Sequence, residues 1–245
     1  MSRIFITGSA DGLGQMASKL LTDEGHSVVL HARNAERAMH ALSNVPAAEK
    51  VLIADLSNLA ETKKLAAEVN EMGRFNAIIH NAGVYRESDS LTFAVNSLAP
   101  YILTCLIQKP ERLIYLGSGM HLNGNPYFKN MSKDTGQFNY SDSKLQVLLL
   151  SMAAAHKWPD VYVNTVNPGW VPTKMGGTGA PDDLLKGVET QVWLAVSNDD
   201  KAKVSGNYFF HKKEEYYLQA ADDPKVQDRF LKLCEQISGV NFPFE

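Results

Sequence analysis

The sequence predicts an α/β fold in which a doubly wound, mostly parallel sheet lies between two layers of helices. Short, continuously apolar segments alternate with helix-like segments from the first residues onward, and this alternation is typical of a parallel sheet covered on both faces. The apolar segments carry few polar residues, as expected of strands buried on both sides. Unusual polar turns follow several of them, and in such sheets ligands bind beyond the carboxyl ends of the strands.

The predicted elements can be placed in chain order. Strands are expected at residues 3–7, 26–32, 51–55, 76–80, 112–117 and 161–167. Helices are expected at residues 14–25, 35–42, 59–72, 91–108 and 140–157. No repeat, low-complexity tract or long linker divides the chain, so residues 1–245 are expected to form one domain.

Composition argues against several classes of function. The chain is 44% hydrophobic and 21% charged, and its net charge of -3 offers no basic surface for nucleic acid or an anionic membrane. Cys105 and Cys234 are isolated and the seven histidines lack ligand spacing, so neither a disulfide nor a metal is expected. No signal peptide or membrane-spanning run is recognisable. We therefore expect a soluble, cytoplasmic protein.

A glycine-rich turn follows the first predicted strand. In Thr7–Gly14 (TGSADGLG), three glycines permit a tight turn and a close approach of the backbone to a ligand. The next helix would direct its free N–H groups and positive dipole end at this turn, which favours a bound pyrophosphate. The turn lacks the ending of a P-loop and the spacing of GxGxxG. A glycine turn without a ligand remains the alternative interpretation.

A second motif stands at the start of the helix predicted at 140–157. Tyr140 and Lys144 are four residues apart in YSDSK, so they lie on one face of a helix and their polar ends can converge. A lysine charge near a phenol favours the phenolate and is expected to lower the pKa of Tyr140. The alternative is a solvated Lys144 and a Tyr140 that only packs at the helix end.

Taken together, these motifs resemble those of the classical short-chain dehydrogenase/reductases, which have a Rossmann fold. The resemblance rests on TGxxxGxG, on NAG after the fourth strand, on a serine after the fifth, on YxxxK and on PGxxxT, in that order. It implies the catalytic residues Asn96, Ser118, Tyr140 and Lys144. It implies the cofactor-binding residues Thr7, Gly8, Ser9, Asp11, Gly12, Leu13, Gly14, Arg33, Asp55, Leu56, Asn81, Ala82, Gly83, Tyr140, Lys144, Pro168, Gly169, Val171 and Thr173.

Within that family, GSGMH at 117–121 and the C-terminal residues are similar to the retinol-dehydrogenase-like, carbonyl-reducing branch. The implied activity is hydride transfer between NADP(H) and a small-molecule ketone, aldehyde or alcohol. Tyr140 would donate or accept the proton, Lys144 would hold the nicotinamide ribose, and Ser118 would bind the substrate oxygen. Asn96 would hold a water that links Lys144 to solvent.

Other functions are compatible with parts of the pattern. A non-catalytic dinucleotide-binding sensor would use the same fold, although its Ser/Tyr/Lys set would be expected to be broken. An epimerase or dehydratase would need a longer chain. A hydrolase built on Ser118 and Lys144 would leave the glycine turn unexplained. His121 and Trp170 either line the substrate pocket or pack, and His80 is expected to be structural.

The second strand bears on the choice of nicotinamide. NAD-binding folds commonly place an acidic residue at its end, where this chain has Ala32 followed by Arg33. A guanidinium can bind a 2′-phosphate, so NADP is expected and NAD remains possible. Asp11 in the glycine turn opposes this assignment.

Two further expectations concern the surface of the protein. Residues around 170–190 are expected to form a lid over the substrate. The resemblance also implies a homo-oligomer, a dimer or tetramer built on a four-helix interface. The short segment from Gly83 to Asn96 and the brief connection QKPE weaken the case for that interface.

Overall fold

A computed structural model describes residues 1–127 and 138–243. Within these ranges, one eight-stranded sheet has the order β3-β2-β1-β4-β5-β6-β7-β8. Its strands pair in parallel except for β8, which is antiparallel to β7. They are β1 Arg3–Ile6, β2 Ser27–Ala32, β3 Lys50–Ile53, β4 Ala77–His80, β5 Arg112–Leu116, β6 Tyr162–Asn167, β7 Asn207–Phe210 and β8 Lys213–Glu214.

Helices cover both faces of this sheet, and the predicted α/β fold in three layers is confirmed. They are α1 Gly12–Asp23, α2 Ala35–Asn44, α3 Leu59–Glu71, α4 Asp89–Phe93, α5 Ala99–Leu106, α6 Tyr140–Lys157, α7 Leu184–Val196 and α8 Pro224–Ser238. One apolar core packs α1, α2 and α7 on one face, and a second packs α3, α5, α6 and α8 on the other. Each strand interior therefore meets helices on both sides, which explains its continuous apolar sequence.

The predicted helix at 91–108 differs in detail from the structure. Between α4 and α5, the segment Ala94–Leu98 forms a π-helical turn, a feature that often occurs at functional sites. The helix ends at Leu106, a few residues before Pro110. Hydrophobic spacing predicted the helical run, but it carries no signal for the extra residue in one turn.

The C-terminal third contains elements that the sequence did not predict: β7, β8, α7 and α8. Residues 184–190 of the expected lid belong to α7, where Val188 is fully buried against the sheet. The irregular part of the expected lid therefore ends at Asp183, the N-cap of α7. No helix in the described ranges is both long and apolar enough to span a bilayer.

The helix α8 packs along α6, and every residue from Asp142 to Ala154 of α6 is buried within the single chain. Beyond α8, Tyr101 donates a hydrogen bond to the Val240 carbonyl, and Trp158 stacks on Phe242. A four-helix interface through α5 and α6 would require α8 to move. The four-helix interface, the oligomeric state and the cytoplasmic location all stay predictions.

Candidate active site

The turns that follow β1 and β4 are tied together at the carboxyl edge of the sheet. The Asn81 side chain donates to the carbonyls of Thr7 and Gly8, each at 3.0 Å. In return, the Thr7 hydroxyl accepts from the backbone N–H groups of Asn81 and Ala82, each at 3.1 Å. These reciprocal bonds fix the glycine turn against the NAG segment at the carboxyl edge of the sheet.

Two glycines are required for this approach. Gly8 has a φ of 63°, and a Cβ there would lie 2.7 Å from the Ala82 backbone. A Cβ at Gly14 would lie 2.3 Å from the Asn81 amide nitrogen and 2.6 Å from the Gly8 carbonyl. Any side chain at either position would separate the two turns. Packing between the two turns thus requires these glycines, whether or not a ligand also does.

A cavity of about 530 Å³ runs along the carboxyl edge from the end of β2 to the start of α6. Of the predicted cofactor-binding residues, it is lined by Gly8, Asp11, Gly12, Leu13, Arg33, Asp55, Leu56, Asn81, Ala82, Gly83, Tyr140, Lys144, Pro168 and Thr173. The structure therefore brings residues from five separate turns and one helix start around a single space.

Some predicted residues do not line this cavity. Thr7 is buried in the contacts described above, and Gly14 lies behind the turn. Ser9 is fully buried, and its hydroxyl donates to the Ile6 carbonyl and accepts from the His31 N–H. Val171 is buried against Gly187 of α7. The side chains of Ser9 and Val171 therefore pack inside the protein, and the assignment of both residues to cofactor binding stays a prediction.

Charged groups gather at the end of the cavity near β2. Arg37 lies 2.6 Å and Lys174 lies 3.3 Å from the Asp11 carboxylate. Partial burial raises the pKa of Asp11, but the two cations outweigh this effect and hold it below its ordinary value. The negative charge of Asp11, which we expected to oppose an anionic ligand beside Arg33, is thus compensated within the protein.

Asp55 lies just beyond β3 on the same side. One of its oxygens accepts hydrogen bonds from the Ser57 N–H at 2.9 Å and from the Ser57 hydroxyl at 2.7 Å. Burial raises the pKa of Asp55, but these bonds and the charge of Arg33 lower it below its usual value overall. Its carboxylate is therefore an ionised acceptor on the wall of the cavity.

His31, on β2, is a lining residue that the sequence did not reveal. Its Nδ1 accepts from the Gly8 N–H at 3.0 Å, and its Nε2 faces the Ala54 carbonyl at 3.0 Å. Because a backbone N–H only donates, Nδ1 is unprotonated and Nε2–H donates to Ala54. His31 thereby joins the glycine turn to the segment that follows β3.

At the other end of the cavity, the Tyr140 phenol lies beside the Ser118 hydroxyl, which acts to lower the pKa of the phenol. Asn139 caps α6 by accepting from the Asp142 N–H, and the Asp142 carboxylate accepts from the Asn139 N–H. This capping box starts the helix at Tyr140. The phenol is thereby held at the first position of α6, beside the serine that follows β5.

Lys144 lies one turn along α6 with its side chain 5% exposed. Its ammonium donates to the Leu116 carbonyl at 2.8 Å and lies 5.5 Å from the centroid of the Tyr140 ring. Burial lowers the pKa of Lys144 to about 8. The predicted convergence of Tyr140 and Lys144 is thus seen in the structure.

The expected lowering of the Tyr140 pKa is wrong for this arrangement. Burial raises the pKa of Tyr140 to about 12, although the hydrogen bond from Ser118 opposes that shift. The ammonium of Lys144 is directed to the Leu116 carbonyl, and its own charge is weakened by burial. Spacing along the helix predicted the proximity but not the cost of taking both groups out of water.

Asn96 is held in the π-helical turn, close to the same lysine. Its amide oxygen accepts from the Val84 N–H at 2.7 Å, and its amide nitrogen donates to the Val84 carbonyl and to the Ser143 hydroxyl, each at 3.0 Å. A Cβ on Gly83 would lie 3.4 Å from the Asn96 oxygen and 3.7 Å from the Lys144 nitrogen. Asn96 therefore anchors the segment after β4 beside Lys144.

The segment after β6 folds over the glycine turn. Gly169 has a φ of 79°, and Trp170 donates its backbone N–H to the Asp182 carboxylate at 2.6 Å. The Trp170 indole donates to the Gly176 carbonyl at 2.8 Å, although 59% of the residue is exposed. The Thr173 methyl would lie 3.8 Å from a Cβ on Gly12. The irregular part of the predicted lid is thus a folded loop that borders the cavity.

Comparison with known proteins places this arrangement in a family. A family model for short chain dehydrogenases matches residues 2–104. An oxidoreductase from Emericella nidulans is 43% identical, with 99% of each chain covered. A short-chain dehydrogenase from Penicillium rubens, chyC, is 42% identical over 99% of this chain and 100% of that protein. The chain belongs to the short-chain dehydrogenase/reductase family.

More distant relatives narrow the branch within the short-chain dehydrogenase/reductases. Human retinol dehydrogenase 13 is 26% identical over 98% of this chain and 85% of that protein. The predicted retinol-dehydrogenase-like branch is confirmed, and with it the general activity of a hydride-transferring oxidoreductase.

Solved structures of similar proteins confirm the fold. A protein from Mycobacterium paratuberculosis has a TM-score of 0.81 at 19% identity, with 99% of this chain and 95% of that chain covered. Carbonyl reductase Sniffer of D. melanogaster has a TM-score of 0.70 at 22% identity, covering 89% and 100%. The RhlG/NADP complex from Pseudomonas aeruginosa has a TM-score of 0.69 at 21% identity, covering 86% and 96%.

The burial of His31 in this short-chain dehydrogenase/reductase has a measurable consequence. Burial lowers the pKa of His31 to about 4, although a hydrogen bond to Ala54 and the charge of Asp55 oppose that shift. Between pH 6.5 and 4 the unfolded chain therefore binds more protons than the folded one. We expect the contribution of His31 to the free energy of unfolding to be constant above this range and to fall as the pH drops through it, by up to about 1.4 kcal/mol per pH unit.

Urea denaturation of the wild type and of His31→Gln at pH 7.5, 6 and 5 measures this effect. Burial also lowers the pKa of His80, to about 3, so the variant should keep the part of the slope that His80 contributes. A variant whose unfolding free energy falls as steeply as that of the wild type would contradict the assignment to His31.

Proposed function

We propose that this short-chain dehydrogenase/reductase reduces a ketone or aldehyde with NADPH, with Asn96, Ser118, Tyr140 and Lys144 as its catalytic residues. The observation that supports this most directly is that the Ser118 and Tyr140 hydroxyl groups lie beside each other, with the buried amine of Lys144 behind them. Two hydroxyl groups at one point can both bind a carbonyl oxygen. The pair lies at one end of a cavity large enough for a dinucleotide.

The residues along the cavity fit a nicotinamide dinucleotide. The turn at Gly8 and Gly12 brings the backbone to the cavity surface ahead of α1, and the free N–H groups of that helix favour a pyrophosphate. Asp55 and Leu56 would hold the adenosine end, and Lys144 and Pro168 the nicotinamide end. The bound cofactor would supply the hydride, and the protein would supply orientation and the proton.

Proton transfer is the task of Tyr140 in this proposal. Its raised pKa, about 12, keeps the phenol protonated at neutral pH. As the carbonyl carbon gains a hydride, the oxygen becomes basic and accepts the phenolic proton, while the Ser118 hydroxyl donates a second hydrogen bond to it. The resulting phenolate regains its proton through Lys144, whose pKa of about 8 lets it release one near neutral pH.

The walls beside Tyr140 suggest which substrates fit. Val84, Leu91 and Met175 line the cavity there, and Glu87 is the acidic group among them. Apolar surface of this kind binds apolar groups next to the carbonyl. A neutral ketone or aldehyde with apolar substituents is therefore favoured over a carboxylate-bearing substrate.

The preference for NADPH rests on the cations at the β2 end of the cavity. Arg33, Arg37 and Lys174 all line this region, and no acidic residue stands at the end of β2, which is Ala32. Arg37 and Lys174 already compensate Asp11, so the charge of Arg33 is not offset by that carboxylate. A 2′-phosphate would add charge-assisted hydrogen bonds here.

Replacing Tyr140 with Phe tests the catalytic role. We expect Tyr140→Phe to bind NADPH as tightly as the wild type and to lose nearly all turnover, because only the transferable proton is removed. Consumption of NADPH with a panel of apolar ketones and aldehydes measures turnover. Tyr162→Phe removes the same atom at the opposite edge of the sheet and serves as the control. Turnover by Tyr140→Phe near the wild-type rate would refute the role.

Replacing Arg33 with Ala tests the cofactor preference. We expect Arg33→Ala to weaken NADPH binding by about 1.5–3 kcal/mol and NADH binding much less, because only NADPH carries the phosphate. Fluorescence titration of both cofactors measures the two losses. Arg229→Ala on α8 is the matched control, since Arg229 lies outside the cavity. Equal losses for the two cofactors, or a wild type that prefers NADH, would overturn the assignment.

A further inference from the structure

One buried histidine beside the catalytic serine has no part in the chemistry proposed above. His121 lies on a short 3-10 helix, Gly119–Asn123, directly after Ser118, and is 1% exposed. Its Nδ1 lies 2.7 Å from the Ser118 carbonyl oxygen, and its Nε2 lies 3.2 Å from the Leu218 nitrogen. Both ring nitrogens therefore contact backbone groups, one of them three residues away in the sequence and the other 97 residues away.

The partners of His121 determine its tautomer. The Leu218 N–H can only donate, so Nε2 is the acceptor and carries no proton. The proton is then on Nδ1, which donates to the Ser118 carbonyl. A neutral imidazole in this form makes both bonds at once, and no other side chain of similar size offers a donor and an acceptor at these two positions.

Leu218 belongs to the segment Glu215–Leu218, which we call the strap. The strap follows β8 and is held at three points: the Glu215 N–H donates to the Tyr208 carbonyl, the Glu215 carboxylate accepts from Asn167, and Leu218 is bound to His121. These contacts join the turns after β5 and β6 to the end of β7. The strap therefore lies at the carboxyl edge of the sheet, over the strands on the far side of Ser118 from the dinucleotide cavity.

The turn that carries Ser118 also packs against residues of β6 and β7. A Cβ at Gly117 would lie 2.7 Å from the Thr165 methyl and 3.2 Å from the Tyr208 ring, and the Tyr208 and His121 rings are 4.7 Å apart. The Gly117 N–H also donates to the Val166 carbonyl at 2.8 Å. The backbone at residue 117 is thus fixed by the sheet, and His121 is the side chain that fixes the carbonyl of the next residue.

We infer that His121 is a positioning residue with two separate tasks: Nδ1–H orients the Ser118 turn, and Nε2 holds the strap as a wall of the substrate site. This inference rests on the proposed role of Ser118 in carbonyl reduction. In this inference, a substrate that reaches Ser118 and Tyr140 beside the cofactor would meet the strap on the remaining side. The two bonds of one ring thereby couple the placement of the substrate to that of the hydroxyl which binds its oxygen.

Two amide substitutions separate the tasks. In His121→Asn, the amide nitrogen takes the place of Nδ1–H and the acceptor for Leu218 is lost. In His121→Gln, the amide oxygen takes the place of Nε2 and the donor to Ser118 is lost. Leu218→Pro provides an independent variant of the strap bond, because it removes the N–H donor and the φ of -65° at Leu218 suits proline, although it also removes a leucine side chain that packs against the core.

The expected kinetic results differ between the variants that lose the bond to Leu218 and the variant that loses the bond to Ser118. His121→Asn and Leu218→Pro should raise KM roughly tenfold and change kcat less than threefold, because the wall loosens while Ser118 stays in place. His121→Gln should lower kcat roughly tenfold or more with a smaller change in KM. The affinity for NADPH should stay at the wild-type value in all three. His156→Asn and His156→Gln, at the other end of α6, control for the loss of a histidine.

Amide hydrogen exchange of the strap gives a readout that does not depend on turnover. His121→Asn and Leu218→Pro should speed exchange in a peptide covering residues 215–218, and His121→Gln should not. If the strap exchanges at the wild-type rate in all variants, or if His121→Asn and His121→Gln change kcat and KM alike, the inference is overturned. If the exchange pattern holds but Tyr140→Phe remains active, the proposed function fails while the structural role of His121 stands.

Discussion

The close approach of the turns after β1 and β4 is the constraint on which the rest of the site depends. These strands are neighbours in the sheet, and the bonds from Asn81 to Thr7 and Gly8 bring their turns into contact. Because no Cβ fits at Gly8 or Gly14, the N-terminus of α1 begins directly at the sheet edge. The cavity, its floor at Ala82 and the position of Gly83 next to Lys144 all follow from that contact.

Charge is distributed along the cavity so that its two ends favour different parts of a dinucleotide. At the β2 end, Asp11 is paired with Arg37 and Lys174, so a carboxylate inside the glycine turn does not repel an anion. The ion pair of Lys174 with Asp11 also links the loop after β6 to the turn after β1. At the other end, a fully buried amine faces a phenol rather than a carboxylate. An anionic group is therefore favoured at the first end and a polar, uncharged reacting group at the second.

The sequence predicted the parts of the site that local spacing determines. The proximity of Tyr140 and Lys144 is set by helix geometry within a few residues. Gly8 and Gly14 lie in the turn that the pattern indicated, although the contacts that require them, with Ala82 and Asn81, are distant in sequence. The roles of Ser9 and His31 could not be predicted, because both depend on contacts between strands that are distant in sequence. The same holds for the helices of the C-terminal third. The amphipathic pattern of α8 becomes interpretable only once α6 is known to need a cover on its outer face.

The burial of both members of the Tyr140–Lys144 pair changes the meaning of the YxxxK motif. In water the phenol and the ammonium would both lose protons near pH 10, and neither would exchange protons readily at neutral pH. Burial disfavours the phenolate and the ammonium alike, so it raises the pKa of Tyr140 to about 12 and lowers that of Lys144 to about 8. In the proposed reduction the phenol would thus start with its proton in place, and the amine beside it could gain and release one close to neutral pH. The spacing of the two residues brings them close together. Their burial in the fold shifts the two pKa values in opposite directions.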